Sequence, residues 1–63
     1  MDFLFIIPYN TQFGENVLIC GSCKELGEWK EPLKLDYRDL LWTTKLKLPL
    51  RFDYKYIIIN SEE

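Results

Sequence analysis

Histidine is absent from this 63-residue chain. Without it no Ser-His or Cys-His nucleophile can be assembled, and no imidazole can hold a metal. Cysteine is scarce: Cys20 and Cys23 form a single C-x-x-C. A structural zinc takes four Cys or His ligands, so a zinc site built from this chain alone is excluded. A thioredoxin-like pair would open a helix, whereas the residues after Cys23 (Lys24, Glu25, Leu26, Gly27) turn the chain. The two thiols read as a strand cysteine and a loop cysteine, both reduced, and no disulfide framework is implied. No cofactor is expected either.

Long apolar runs are also missing. The first, Phe3-Leu4-Phe5-Ile6-Ile7, has Asp2 before it and Pro8 after it. It lacks the basic flank, length and small-residue cleavage site of a signal peptide. No stretch approaches the roughly 20 apolar residues of a membrane span. The expectation is therefore a cytoplasmic chain without a membrane partner. Charge of one sign is lacking too: 8 Lys and Arg face 10 Asp and Glu, a net charge of −2, which excludes a strongly basic nucleic-acid binder.

What the chain does hold is apolar and aromatic. Hydrophobic residues make up 48% and aromatics 16%, with four Phe, four Tyr and two Trp, enough for a core and too much for a disordered tail. Size nonetheless sets a limit, because a domain of about 60 residues buries only about 60% of the surface its unfolded chain exposes. One domain, 1–63, is the ceiling, and a piece of one is possible.

The periodicity is that of strands. No window places apolar residues at i, i+3, i+4 and i+7 behind a cap. Phe3–Ile7 reads as a buried strand ended by Pro8. Asn10–Asn16 reads as a connecting loop, Val17–Cys20 as a second buried strand, and Lys24–Pro32 as a loop around Trp29. Leu33–Leu35 is a short strand. Trp42–Leu48 alternates cleanly, with Trp42, Thr44, Leu46 and Leu48 on one face and Thr43, Lys45 and Lys47 on the other. In Phe52–Ile59, Phe52, Tyr54, Tyr56 and Ile58 share a side, and the end is apolar on both faces. These five strands predict an all-β, immunoglobulin-like antiparallel β-sandwich. Asn60-Ser61-Glu62-Glu63 reads as a turn. Because the most hydrophobic strand comes last and such a sandwich takes about 100 residues, the module is expected to be truncated at its C-terminus.

Three segments stand out in order: Phe13-Gly14-Glu15-Asn16 before a strand that ends in Gly21-Ser22, then Leu26-Gly27-Glu28-Trp29, then Phe52-Asp53-Tyr54-Lys55-Tyr56, with Leu41-Trp42 between the last two. Together they resemble the starch-binding domains of carbohydrate-binding module family 20, over nearly the whole chain. Within that family the opening residues, Ile7–Gly14 followed by Leu18–Ser22, resemble the N-terminal modules of plant-type cytosolic disproportionating enzymes, which are 4-α-glucanotransferases.

The resemblance implies non-catalytic binding of α-1,4-glucan, as starch, glycogen or a maltooligosaccharide, and attachment to a carbohydrate-active enzyme that the module delivers to its substrate. It implies two sites. In the first, Trp29 stacks on a glucose ring and Lys55 donates to sugar hydroxyls, while the family's second stacking tryptophan would lie beyond Glu63. In the second, the ring at Phe13 contacts the glucan beside Glu15 and Asn16, and Tyr37 contributes from the loop before the Trp-led strand. The family usually has Tyr or Trp where this chain has Phe13, so the ring is kept and the polar tip is lost.

The chemistry of sugars agrees with such a set. A pyranose has an apolar C–H face that flat rings cover and a hydroxyl rim that polar groups read. The charged neighbours of Trp29 (Glu28, Lys30, Glu31) favour an outward ring, whereas Trp42 shares the apolar alternation and reads as core. Tyr54 and Tyr56 read as core packing. The carboxylate pairs Asp36/Asp39 and Glu62/Glu63 read as surface, since a glycosidase needs a deep cleft between its two acids and so small a chain has no room for one. Two other readings stay open: a protein-interaction β-sandwich, and a regulatory glucan-sensing module of a phosphatase or phosphodiesterase.

Overall fold

Phe5 and Trp42 on one side, and Val17 and Ile19 on the other, fill the space between two three-stranded antiparallel sheets. A computed structural model provides the structure, and residues 1–60 are described. Of the expected turn, Asn60 instead ends the last described strand, and Ser61, Glu62 and Glu63, with the Glu62/Glu63 carboxylates, lie outside the described residues. The first sheet has the order β1-β5-β4, from β1 (Asp2–Ile7), β5 (Leu41–Lys47) and β4 (Asp36–Arg38). The second has the order β3-β2-β6, from β3 (Leu33–Lys34), β2 (Glu15–Gly21) and β6 (Tyr54–Asn60). This is the expected all-β sandwich, with six strands among the described residues.

The alternation read from the sequence is that of the core in β5 but not in β6, where Tyr54, expected as core packing, is 47% exposed and Ile58 39% exposed at the edge of the sheet. In β5 and just beyond it, Trp42 and Leu48 are buried and Thr44 and Leu46 half-buried, whereas Lys45 and Lys47 are exposed. Across the ladder Ile7 faces Trp42, Phe5 faces Thr44 and Phe3 faces Leu46, so one register builds one inner face. In the second sheet Ile19 lies opposite Tyr56 and Val17 opposite Ile58. Aromatic edges then join the sheets: Phe3 meets Phe52 at 5.2 Å and Phe5 meets Tyr54 at 5.3 Å between ring centroids, both edge-on.

Four further local expectations are corrected. Glu15 and Asn16 are not loop residues; they open β2, because pairing with Ile59 and Asn60 extends that strand past its apolar centre. Leu33–Leu35 is not one strand: Leu35 is buried between the sheets, and its N–H donates to Val17 O at 2.9 Å. From there the chain enters β4, which exposed Asp36, Tyr37 and Arg38 do not signal by alternation. Asp39 and Leu40, at φ 52 and 67, turn it back into β5 as a two-residue hairpin loop. Finally, the Lys24–Trp29 part of the expected loop is a 3-10 segment kinked at Gly27 and Glu28, and the last strand begins at Tyr54 and not at Phe52.

Candidate functional site

Trp29 owes its position to the residue three before it. Leu26 is fully buried in the core and fills the space beside Gly21, where an added Cβ would collide with the Leu26 side chain and the Asp53 carbonyl. The backbone then reverses its handedness. Gly27, Glu28 and Trp29 all have positive φ, at 83, 51 and 66°. Only glycine adopts this region without strain, so Glu28 and Trp29 are held there by their surroundings. The Lys30 and Glu31 N–H groups both donate to Gly27 O, at 2.9 and 3.1 Å, and the Glu28 N–H donates to Cys23 O at 3.2 Å. Trp29 leaves this turn 47% exposed, as the charged neighbours suggested, while Trp42 is 4% exposed and core.

Lys55 comes to the same place from β6. It lies opposite Cys20 in the β2–β6 ladder, and its Nζ stands over the Trp29 ring, 5.8 Å from the centroid. The structure thus brings together the two residues that the family resemblance assigned to one site. Two contacts that no sequence signal revealed tie down the adjoining loop: the Ser22 N–H donates to Asp53 O and the Asp53 N–H donates to Ser22 Oγ, both at 2.9 Å. Beside them an open depression is lined by Phe3, Ser22, Leu50, Arg51, Phe52 and Asp53.

The remaining candidates gather at the opposite end of the sandwich. Phe13 is 86% exposed at the tip of the loop that joins β1 to β2. Gly14, at φ 89°, closes the turn, in which the Glu15 N–H donates to Gln12 O at 3.0 Å and Glu15 Oε1 accepts from the Gln12 N–H at 2.7 Å. Glu15 is therefore engaged in bracing the turn that presents Phe13. Asn16 follows it in β2, half-buried and opposite Ile59.

Tyr37 is not a loop residue, as expected, but a strand residue of β4. It lies across from Trp42, with ring centroids 4.8 Å apart, and is half exposed. Trp42 in turn faces Ile7, the last residue of β1, from which the chain runs into the Phe13 loop. Connectivity therefore puts Phe13 and Tyr37 at one end and Trp29 and Lys55 at the other, separated by the length of β2, about 17 Å between Glu15 and Cys20 at roughly 3.4 Å per residue.

Both thiols are free, with Cys20 buried and Cys23 half-buried. Among the described residues no helix is long and apolar enough to cross a membrane. Exposed rings thus stand on two separate braced turns, Trp29 beside Lys55 and Phe13 beside Glu15.

A starch binding domain family model matches residues 2–63. The chain belongs to this family. The module is thus a starch-binding domain, a carbohydrate-binding and not a catalytic type of unit. It is 31% identical over 95% of its length to a 4-alpha-glucanotransferase of Oryza sativa subsp. japonica, of which it covers 7%. It is also 31% identical, over 82% of its length, to a glucoamylase of Neurospora crassa, of which it covers 10%. The chain therefore spans about a tenth or less of these relatives. No solved structure gives a significant match.

Proposed function

We propose that this starch-binding module holds α-1,4-glucan through exposed aromatic rings at two places, Trp29 with Lys55 and Phe13 with Tyr37, and brings an attached glucan-active enzyme to its polymer. The observation that carries the reading is the half-exposed Trp29 ring on a turn pinned by buried Leu26, with the Lys55 ammonium beside it. The ring covers the apolar face of a glucose, and the ammonium is within reach of its hydroxyl rim. One such stack contributes about 1–3 kcal/mol by analogy with bases on aromatic rings, a weak grip alone. Two grips on one polymer multiply through effective concentration. Attachment to an enzyme is supported by the two relatives, whose names are those of glucan-active enzymes and in which the matched segment is a small part.

The test is titration of the intrinsic tryptophan fluorescence with β-cyclodextrin or a long maltooligosaccharide. A saturable change with the wild-type chain that falls away in Trp29→Ala supports the site. No change with wild type, or an undiminished change in Trp29→Ala, overturns it.

A further inference from the structure

We propose that Lys55 is a positioning residue for Trp29: in the ligand-free protein its ammonium stands against one face of the indole and sets the plane of the ring, so that only the other face is offered to a sugar. The inference rests on the reading of Trp29 as a glucan platform, but its first half concerns the free protein alone.

The run of positive φ at Gly27, Glu28 and Trp29 fixes where the Trp29 Cα–Cβ bond points, because the turn is closed by three backbone hydrogen bonds and anchored by buried Leu26. A fixed stub does not fix a ring, since an exposed indole still has two side-chain torsions to explore. Within the same turn, Glu28, Lys30 and Glu31 are all exposed, and Trp29 itself is 47% exposed. The cation that the fold brings to the ring is Lys55 Nζ, 5.8 Å from its centroid and inside the range in which the aromatic quadrupole attracts a cation. Lys55 is itself placed by strand pairing, opposite Cys20, which is buried in β2. The ammonium is thus delivered from a different element of the chain, and it occupies the indole face that it covers.

Two consequences follow. A sugar arriving at Trp29 meets a ring whose orientation is already selected, so part of the ordering cost of binding falls before the ligand arrives. A cation at the ring also sits beside the sugar's rim and does not block the open face. Replacing the cation by a neutral side chain frees the ring in the unliganded protein, which a residue that served only the sugar's hydroxyls would not do.

The experiment is acrylamide quenching of tryptophan fluorescence without glucan, in wild type, Lys55→Met, Lys55→Gln and Lys55→Arg. Trp42 is 4% exposed, so the quenchable component belongs to Trp29, and Trp29→Phe removes it as a control. Unfolding would be seen separately, because it makes Trp42 quenchable as well. The expected result is a quenching constant raised by up to about twofold in Lys55→Met and Lys55→Gln, as the second ring face opens, and a wild-type value in Lys55→Arg, which keeps the cation. Binding of β-cyclodextrin should weaken about two- to fivefold or more in the neutral variants and be largely kept in Lys55→Arg. Equal ligand-free quenching in all four proteins overturns the inference, even where wild type binds β-cyclodextrin. If the quenching pattern holds and wild type binds no glucan, the positioning role stands and the glucan reading fails.

Discussion

Leu26 occupies the space that any side chain at position 21 would need. A Cβ at position 21 would meet the Leu26 side chain and the Asp53 carbonyl together, so the end of β2, the turn carrying Trp29 and the segment before β6 meet at one point. Gly21→Ala is expected to force these three apart. Leu26→Ala would leave a cavity under the Trp29 turn, costing about 2–5 kcal/mol, against a total stability of about 5–15 kcal/mol or less for a domain this small. Thermal or denaturant unfolding checks both. Either variant matching wild type in stability would show that the turn is not pinned there.

Trp29→Ala makes the contrasting case. Its ring is half exposed and is not part of the core cluster, so the stability change should stay within about 1 kcal/mol while affinity for a maltooligosaccharide falls about tenfold or more. Measuring both on one preparation separates a binding residue from a packing residue. A large loss of stability would place Trp29 among the latter.

Phe13→Ala is expected to act on length dependence. Because the Phe13 and Trp29 positions lie at opposite ends of β2, a short oligosaccharide cannot bridge them by stacking on both rings, whereas polymer can. Retention on insoluble starch should drop in Phe13→Ala with little change in affinity of the Trp29 site for a short ligand. Glu15→Ala, which frees the turn that presents Phe13, should reproduce the effect in part, and Glu15→Gln, which keeps an acceptor for the Gln12 N–H, should do so less. Equal losses for short and long ligands in Phe13→Ala would contradict the two-site arrangement.

Tyr56 supplies a pH dependence. Burial, and secondarily the neighbouring Tyr54, push its phenol above the ordinary value of 10.0. The folded state therefore holds the phenolic proton more tightly than the unfolded chain does. Its contribution is fully present below about pH 10, where both states are protonated, and is lost as pH rises from there through the higher folded value. Stability measured from pH 8 to 11 should decline at the upper end, and Tyr56→Phe should flatten that part of the decline.

Ile59→Lys tests the edge of the second sheet. Among the described residues β6 pairs with β2 alone, and Ile58 and Ile59 are both exposed beyond a third of their surface. An apolar strand with an open edge is a template for association with other chains. The lysine variant should scatter less light at high concentration with its melting temperature little changed. Unaltered association would locate the sticky surface elsewhere.

How much was legible in the sequence differs from residue to residue. Trp42 could be assigned to the core because it shares a period of two with Thr44, Leu46 and Leu48, and a pleated strand sends alternate side chains to one face whatever lies around it. The family could be read from the order of its glycine and aromatic motifs, because turn chemistry and ring chemistry are written in single residues. Strand β4 was not legible, since Asp36, Tyr37 and Arg38 are all exposed and only pairing with β5 makes them a strand. Nor was the extension of β2 through Glu15 and Asn16, which depends on what β6 offers opposite them.

The sequence by itself therefore determined the inward face of β5, the sandwich class, the family and the identity of the candidate rings, since each of these follows from local period or local motif. Packing alone put Leu26 in the core and left Tyr54 47% exposed. Only the tertiary structure decided that Lys55 meets Trp29 at 5.8 Å and that Phe13 stands at the other end of β2. The physical reason is register. Lys55 reaches Trp29 because it lies opposite Cys20, and that pairing is selected by Val17, Ile19, Tyr56 and Ile58 finding one face together, a choice made between strands and not within either of them.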